Sequence, residues 1–193
     1  MSTQSFVAID FETADQGADS ACAVALVRVE GWQVVAKEAR LIRPPRRWVR
    51  FSYIHGIEWR HVADQPPFGD VWPSVAPLLD GAAHLVAHNA SFDRGVLRAC
   101  CEAAGLEMPP VPFLCSLQVA KRTWGLRRAN LPAVCRFLSI PLNHHDALSD
   151  AEAAARIVIA ARKAFVGKPG AKATGGILLI PFSGRLRSRL ARR

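Results

Sequence analysis

Phe6-Val7-Ala8-Ile9-Asp10-Phe11-Glu12-Thr13 is the stretch on which the reading of this chain turns. A short apolar run of this kind reads as a buried strand. Strand side chains alternate between faces, so Asp10 and Glu12 project the same way, roughly 7 Å apart along the chain. Two carboxylates on one face of a buried strand repel each other and lose hydration. A bound cation offsets both penalties. Taken alone, an Asp-x-Glu is better read as two acids at an exposed strand end.

The chain on either side gives this strand a context. Residues 22–30 and 33–43 read as two further strands with a turn near Gly31, an antiparallel three-stranded start. Residues 44–67 read as irregular, broken by Pro44-Pro45 and Pro66-Pro67. A short helix follows over about 68–79, then a fourth strand over 83–88. Residues 91–104 read as a helix with Phe92, Val96, Leu97 and Cys100 along one side and Gly105 as its stop. Phe113-Leu114-Cys115 is a short strand leading into a helix over 116–124, and Asn130 caps another helix to about Leu138. The last helix, 147–165, carries Ala153, Ile157, Val158 and Ala161. Three strands followed by alternating strands and helices predict an α/β fold with a mixed sheet.

Composition bounds the function classes. Half of the 193 residues are hydrophobic, enough for one domain, expected over residues 1–166. No run of 18 apolar residues predicts a membrane span, and the first residues lack a secretory pattern, so the expected location is cytoplasmic. The five cysteines are odd in number and show no Cys-x-x-Cys pair, so they read as reduced core residues rather than disulfides or zinc ligands. The net charge is +9, and residues 167–193 hold seven basic and no acidic residues. That segment reads as a Gly/Pro/Lys linker and a basic tail, with an apolar patch at Ile177–Phe182. A polyanionic partner fits the charge, and so does a solvated tail.

Two more segments carry candidate chemistry. Asn89-Ala90-Ser91-Phe92-Asp93 sits at the start of a helix, where Ser91 can cap and Asp93 suits the positive end. His145-Asp146-Ala147-Leu148-Ser149-Asp150 enters the last helix, with Asp146 or Asn143 as candidate cap and His144 readable as a surface histidine. Each signal alone is weak. Together they order four acids at sheet-end positions, Asp10, Glu12, Asp93 and Asp150, beside a histidine. Such an oxygen-rich cluster suits hard divalent cations.

In this order and spacing the motifs resemble the DEDDh 3′-to-5′ exonuclease superfamily, which includes the proofreading epsilon subunit of bacterial DNA polymerase III, ribonuclease T and oligoribonuclease. The matching residues are Ala8–Thr13, Val86–Asp93, His145–Ala151 and the Tyr53-Ile54-His55-Gly56-Ile57 element, within a resemblance covering about 5–163. A histidine five residues before Asp150 marks the DEDDh branch.

The resemblance implies a ribonuclease H-like fold with a five-stranded mixed sheet and helices on both faces. It implies two Mg²⁺ or Mn²⁺ ions held by Asp10, Glu12, Asp93 and Asp150, with His145 as general base. For the substrate it points to Thr13, Ile54 and His55, with Phe11 and Asn89 as further candidates; Phe11 reads equally as core, and Asn89 reads first as a local turn and helix-start residue. The implied partner is nucleic acid with a free 3′ end, DNA or RNA, and a DNA polymerase or sliding clamp is a further candidate. A rival reading is a non-catalytic nucleic-acid-binding or polymerase-associated module that retains the fold.

Among the tryptophans, Trp59 and Trp72 read as core. Arg46-Arg47-Trp48-Val49-Arg50 is a basic segment with an interleaved aromatic, a pattern that suits single-stranded nucleic acid. The preferred reading of it is an amphipathic loop whose tryptophan packs on the body.

Overall fold

The computed structural model describes residues 5–166, so the linker and basic tail expected over 167–193 lie outside the described residues. Strand β1, Ser5–Thr13, is buried along its length apart from Asp10, as a central strand requires. Strand β2, Ala21–Glu30, pairs antiparallel with β1, and β3, Gln33–Leu41, pairs antiparallel with β2. Their two-residue connection, Gly31 and Trp32, has φ of 54° and 68°, the left-handed backbone of a tight hairpin turn. On the other side of β1 lie β4, Leu85–Ala87, and β5, Phe113–Cys115, both parallel. The order β3-β2-β1-β4-β5 makes a five-stranded mixed sheet, as expected.

The helices are α1 (Ser52–His55), α2 (Trp59–Val62), α3 (Phe68–Val75), α4 (Ser91–Ala104), α5 (Ser116–Trp124), α6 (Leu131–Leu138) and α7 (Ala147–Val166). Helices α1 and α2 correct the irregular reading of 44–67: each is a single turn, too short to show a helical period. A 3₁₀ turn at Ala76–Leu79, with Pro77 inside it, closes the helix expected over 68–79. Among the described residues, no helix is long and apolar enough to cross a membrane.

Alternation along β1 builds the two faces. Val7, Ile9 and Phe11 join a core with Val71, Trp72, Val96 and Leu97 from α3 and α4. Phe6 and Ala8 join one with Ala147, Ala151, Ala154, Ala155 and Val158 of α7. There the sheet presents Ala8, Ala23 and Ala25, so small residues on both sides let α7 lie close against it. Asp10 and Glu12 continue this second face toward the first turn of α7.

Where β1 and β4 part, a crevice opens. β1 pairs with β4 only at Val7 and Ala8, and β4 ends at Ala87, while β1 continues beside β2 to Thr13. Ligands of open α/β sheets bind in such crevices beyond the strands' carboxyl ends.

Three expectations about aromatic and cysteine residues are refined. Trp72 is core and stacks on Phe68, but Trp59 is only half-buried. Trp48 packs on the body only in part: it is 57% exposed. The five cysteines are free thiols, four of them buried and Cys115 half-buried.

Candidate active site

The crevice is an open cleft of about 530 Å³. Asp10, Glu12 and Thr13 line its floor, Phe51, Ile54 and His55 one side, His88, Asn89, Phe92, Leu117, Asn130 and Leu131 the other, and His144, His145 and Asp150 its end. It therefore gathers every candidate residue read from the sequence except Asp93, which lies behind it.

Carboxylate oxygens of Asp10, Glu12 and Asp150 lie within 4.8 Å of one another. Asp150 enters from the first turn of α7, which Asp146 caps: the Asp146 Oδ1 accepts the Ser149 N–H at 2.8 Å. The cap is thus Asp146 and not Asn143. With capping supplied by its neighbour, Asp150 turns to the cleft, where its Oδ2 accepts the His145 N–H at 3.2 Å. Its Oδ1 is buried and has no hydrogen-bond partner.

Asp93 is 2% exposed, and its Oδ1 accepts the Phe11 N–H at 3.2 Å. That N–H points to the side of β1 that β4 has already left, so Asp93 completes the strand's hydrogen bonding. Asp93 is therefore more than a charge at a helix N-terminus. The expected Ser91 cap is corrected: Ala90 occupies the cap position, and the Ser91 hydroxyl instead donates to Asn89 Oδ1 at 3.3 Å. The physical reason is Asn89, whose φ of 72° turns the chain one residue early. Asn89 thus is a turn residue that also lines the cleft.

The electrostatics follow from packing four acids in little space. Burial, then Asp93, Asp150 and Glu12, raise the Asp10 carboxyl well above the ordinary range. Burial, then Asp150, Asp146 and Asp93, push Glu12 up to about 8. Burial pushes Asp93 up to about 7 against the Phe11 N–H, and Asp150 is raised by burial despite its histidine partners. No lysine or arginine pairs with any of the four among the described residues. The uncompensated charge, the orphaned Asp150 Oδ1 and the all-oxygen donor set fit hard divalent cations held by Asp10, Glu12 and Asp150.

The histidines divide into distinct tasks. His145 is exposed, with φ of 69°, a left-handed backbone that histidine tolerates better than most residues. Its ring stacks on His144 at 3.8 Å between centroids. Burial first, then the His144 charge, lower its pKa. His144 is not a mere surface histidine, because its Nδ1 lies 2.8 Å from Asp150 Oδ2. His55 Nδ1 accepts the Ile57 N–H at 3.1 Å, so its proton sits on Nε2, 3.1 Å from the Thr13 carbonyl. Both ring nitrogens of His55 thus serve the cleft wall, leaving only ring surface toward a substrate. Phe11 is 3% exposed, a core residue whose edge reaches the cleft.

His88 was not singled out by its sequence. Its Nε2 donates to the Ala129 carbonyl at 2.8 Å, and its Nδ1 lies 2.8 Å from the Ser116 hydroxyl. The residues that follow those partners, Leu117, Asn130 and Leu131, form the far wall. Only its place in the Val86–Asp93 motif could have flagged it.

Comparison with known proteins agrees with this geometry. The chain is 33% identical over 159 residues to the PolC-type DNA polymerase III of Thermotoga maritima, covering 80% of this chain and 12% of that one. It is 34% identical over 143 residues to exodeoxyribonuclease 10 of Escherichia coli K12, covering 70% of this chain and 59% of the relative. The chain thus spans about an eighth of the polymerase relative. Among solved structures, exonuclease X in complex with 5′-overhanging duplex DNA aligns with a TM-score of 0.67 at 29% identity, over 82% of this chain and 91% of that one. The nuclease domain of 3′hExo, a DEDDh member bound to rAMP, shares the ribonuclease H-like fold with a TM-score of 0.72 at 16% identity, over 84% and 93%. Residues 7–158 match the RNase T family model, described as exonuclease, and the chain belongs to that exonuclease family.

Proposed function

We propose that this protein is a 3′-to-5′ exonuclease that removes nucleotides from the free 3′ end of DNA or RNA, with residues 1–166 as the catalytic domain. The observation that carries the reading is the convergence of Asp10, Glu12 and Asp150 within 4.8 Å, Glu12 and Asp150 buried and Asp10 half-buried, without a lysine or arginine partner among the described residues. Asp10, Glu12 and Asp150, with Asp93 behind Asp10, would hold two Mg²⁺ or Mn²⁺ ions. When bound, such ions supply Lewis-acid charge that makes water easier to deprotonate and offsets charge developing on the phosphate.

The remaining work falls to the chain's own side chains. His145 reaches the cleft from an exposed position, and its lowered pKa keeps the imidazole neutral near pH 7. A neutral imidazole can accept the proton of the attacking water. His144 packs against that ring and holds Asp150, which restricts both. Thr13, fixed through its carbonyl by His55, together with Phe51 and Ile54, offers a pocket for the terminal nucleotide.

Digestion of 5′-labelled DNA and RNA oligonucleotides with Mg²⁺, Mn²⁺ or EDTA tests the proposal. The expected result is a ladder shortening from the 3′ end that EDTA abolishes. Internal cuts, or cleavage that survives EDTA, would overturn it.

A further inference from the structure

We propose that Trp48 is a base-stacking site for single-stranded nucleic acid, outside the cleft and upstream of the 3′-terminal nucleotide; this rests on the exonuclease reading above. Trp48 is 57% exposed, although burying an indole is among the larger apolar gains open to a fold. Its exposure is not a sign of a loose segment, because its polar edge is fixed: Nε1 donates to Asp15 Oδ2 at 3.3 Å.

Asp15 is itself immobilised. Its carboxylate takes Arg46 Nε at 2.6 Å, Arg46 Nη2 at 3.0 Å and the Gly17 N–H at 2.8 Å. Arg46 turns its remaining bonds to Asp19, at 2.7 and 3.1 Å. A side chain at Gly17 would collide with that guanidinium and with Asp19, so the glycine permits the clamp. At the other end of the segment, the Arg50 and Phe51 N–H groups both donate to the Ala14 carbonyl, at 2.6 and 3.2 Å. The segment carrying Trp48 is therefore tied down on both sides, and one face of the ring stays free.

The flanking charges indicate what that face receives. Arg46 is occupied by two carboxylates, but Arg47 and Arg50 are exposed and have no ion pair among the described residues. An exposed aromatic between two free guanidinium groups suits a base and its neighbouring phosphates. Phe51, three residues on, lines the cleft, so Trp48 lies no more than about 10 Å from it along the chain. A strand whose 3′ end occupies the cleft can reach Trp48 with its preceding nucleotides; in the proposed arrangement the base stacked on Trp48 lies beyond the second nucleotide, so a dinucleotide does not engage it.

The test compares kcat/KM of the full chain on a 5′-labelled dinucleotide and a 12-mer, as DNA and as RNA. Trp48→Ala should lower kcat/KM on the 12-mer about tenfold and leave the dinucleotide unchanged, as one lost stacking contact predicts. Trp48→Phe, which keeps a stacking face, should stay within about twofold of wild type. An unchanged 12-mer rate in Trp48→Ala overturns the stacking site while the exonuclease reading stands, and leaves the ring to some other partner. An equal loss on both substrates also overturns it, since that is local damage to the cleft. A wild-type chain that neither binds nor hydrolyses either substrate removes both proposals.

Discussion

The Phe11 N–H donates to Asp93 Oδ1 at 3.2 Å, so a carboxylate of α4 completes the backbone bonding of β1. The contact gives Asp93 a structural duty besides its charge, and the two can be separated. Asp93→Asn keeps an acceptor oxygen for Phe11 and removes the charge; the fold should survive and the rate should fall at least about 100-fold, as loss of a charged group from a cation site does. Asp93→Ala leaves a buried N–H without a partner, at about 1–3 kcal/mol. Thermal unfolding beside activity checks this: equal melting temperatures for the two variants would refute the structural duty.

Removing divalent cations should make stability depend on pH in a definite direction. Folding raises Glu12 to about 8 and Asp93 to about 7, above unfolded values of about 4.3 and 3.9. The native state then binds more protons than the unfolded chain across that window, so stability falls as pH rises through it. In EDTA the melting temperature should drop between about pH 6.8 and 8.2. Mg²⁺ or Mn²⁺ should raise it, more at the higher pH, and Glu12→Gln should flatten the EDTA profile. A melting temperature indifferent to cation and pH would remove the cation site.

His145→Ala should slow cleavage by about 10²–10⁴, the range of a lost general base. The stabilisation by Mn²⁺ should persist, because the carboxylates remain. His144→Ala should slow it less, since His144 acts through Asp150 and the stacked ring. Wild-type rates for His145→Ala at neutral pH would take the base assignment away.

His88 ties Ser116 and Ala129 together behind the far wall of the cleft. His88→Ala should raise KM for an oligonucleotide severalfold with a smaller change in kcat, and His88→Gln should recover part of it. Steady-state kinetics on both variants decide the matter. A fall in melting temperature with KM unchanged would mean the bridge supports the fold alone.

The sequence made the sheet and the acids legible because both rest on local periodicity. Alternation in Phe6–Thr13 assigns Asp10 and Glu12 to one face, and the structure shows that face continuing toward α7. The three-segment order carried Asp93 and Asp150 with them. Helices α1 and α2 escaped because one turn shows no period, and the Ser91 cap failed because a single residue, Asn89, adopts a left-handed backbone. His88 and the Arg46 clamp were illegible for another reason. Arg46 meets Asp15 and Asp19 across 31 and 27 residues, and no pattern within a segment announces such a meeting.

The early end of β4 has a further consequence. It leaves the last residues of β1 with a bare backbone edge, the kind of surface to which a strand of another molecule readily adds. Here Asp93 already occupies the Phe11 donor, and the polar carboxyl groups of Asp10 and Glu12 stand along the same strand. The acids that suit the cleft to cations thus also guard it against self-association. Replacing several of them at once with apolar residues should promote edge-to-edge association, a hazard for any inactive variant built that way.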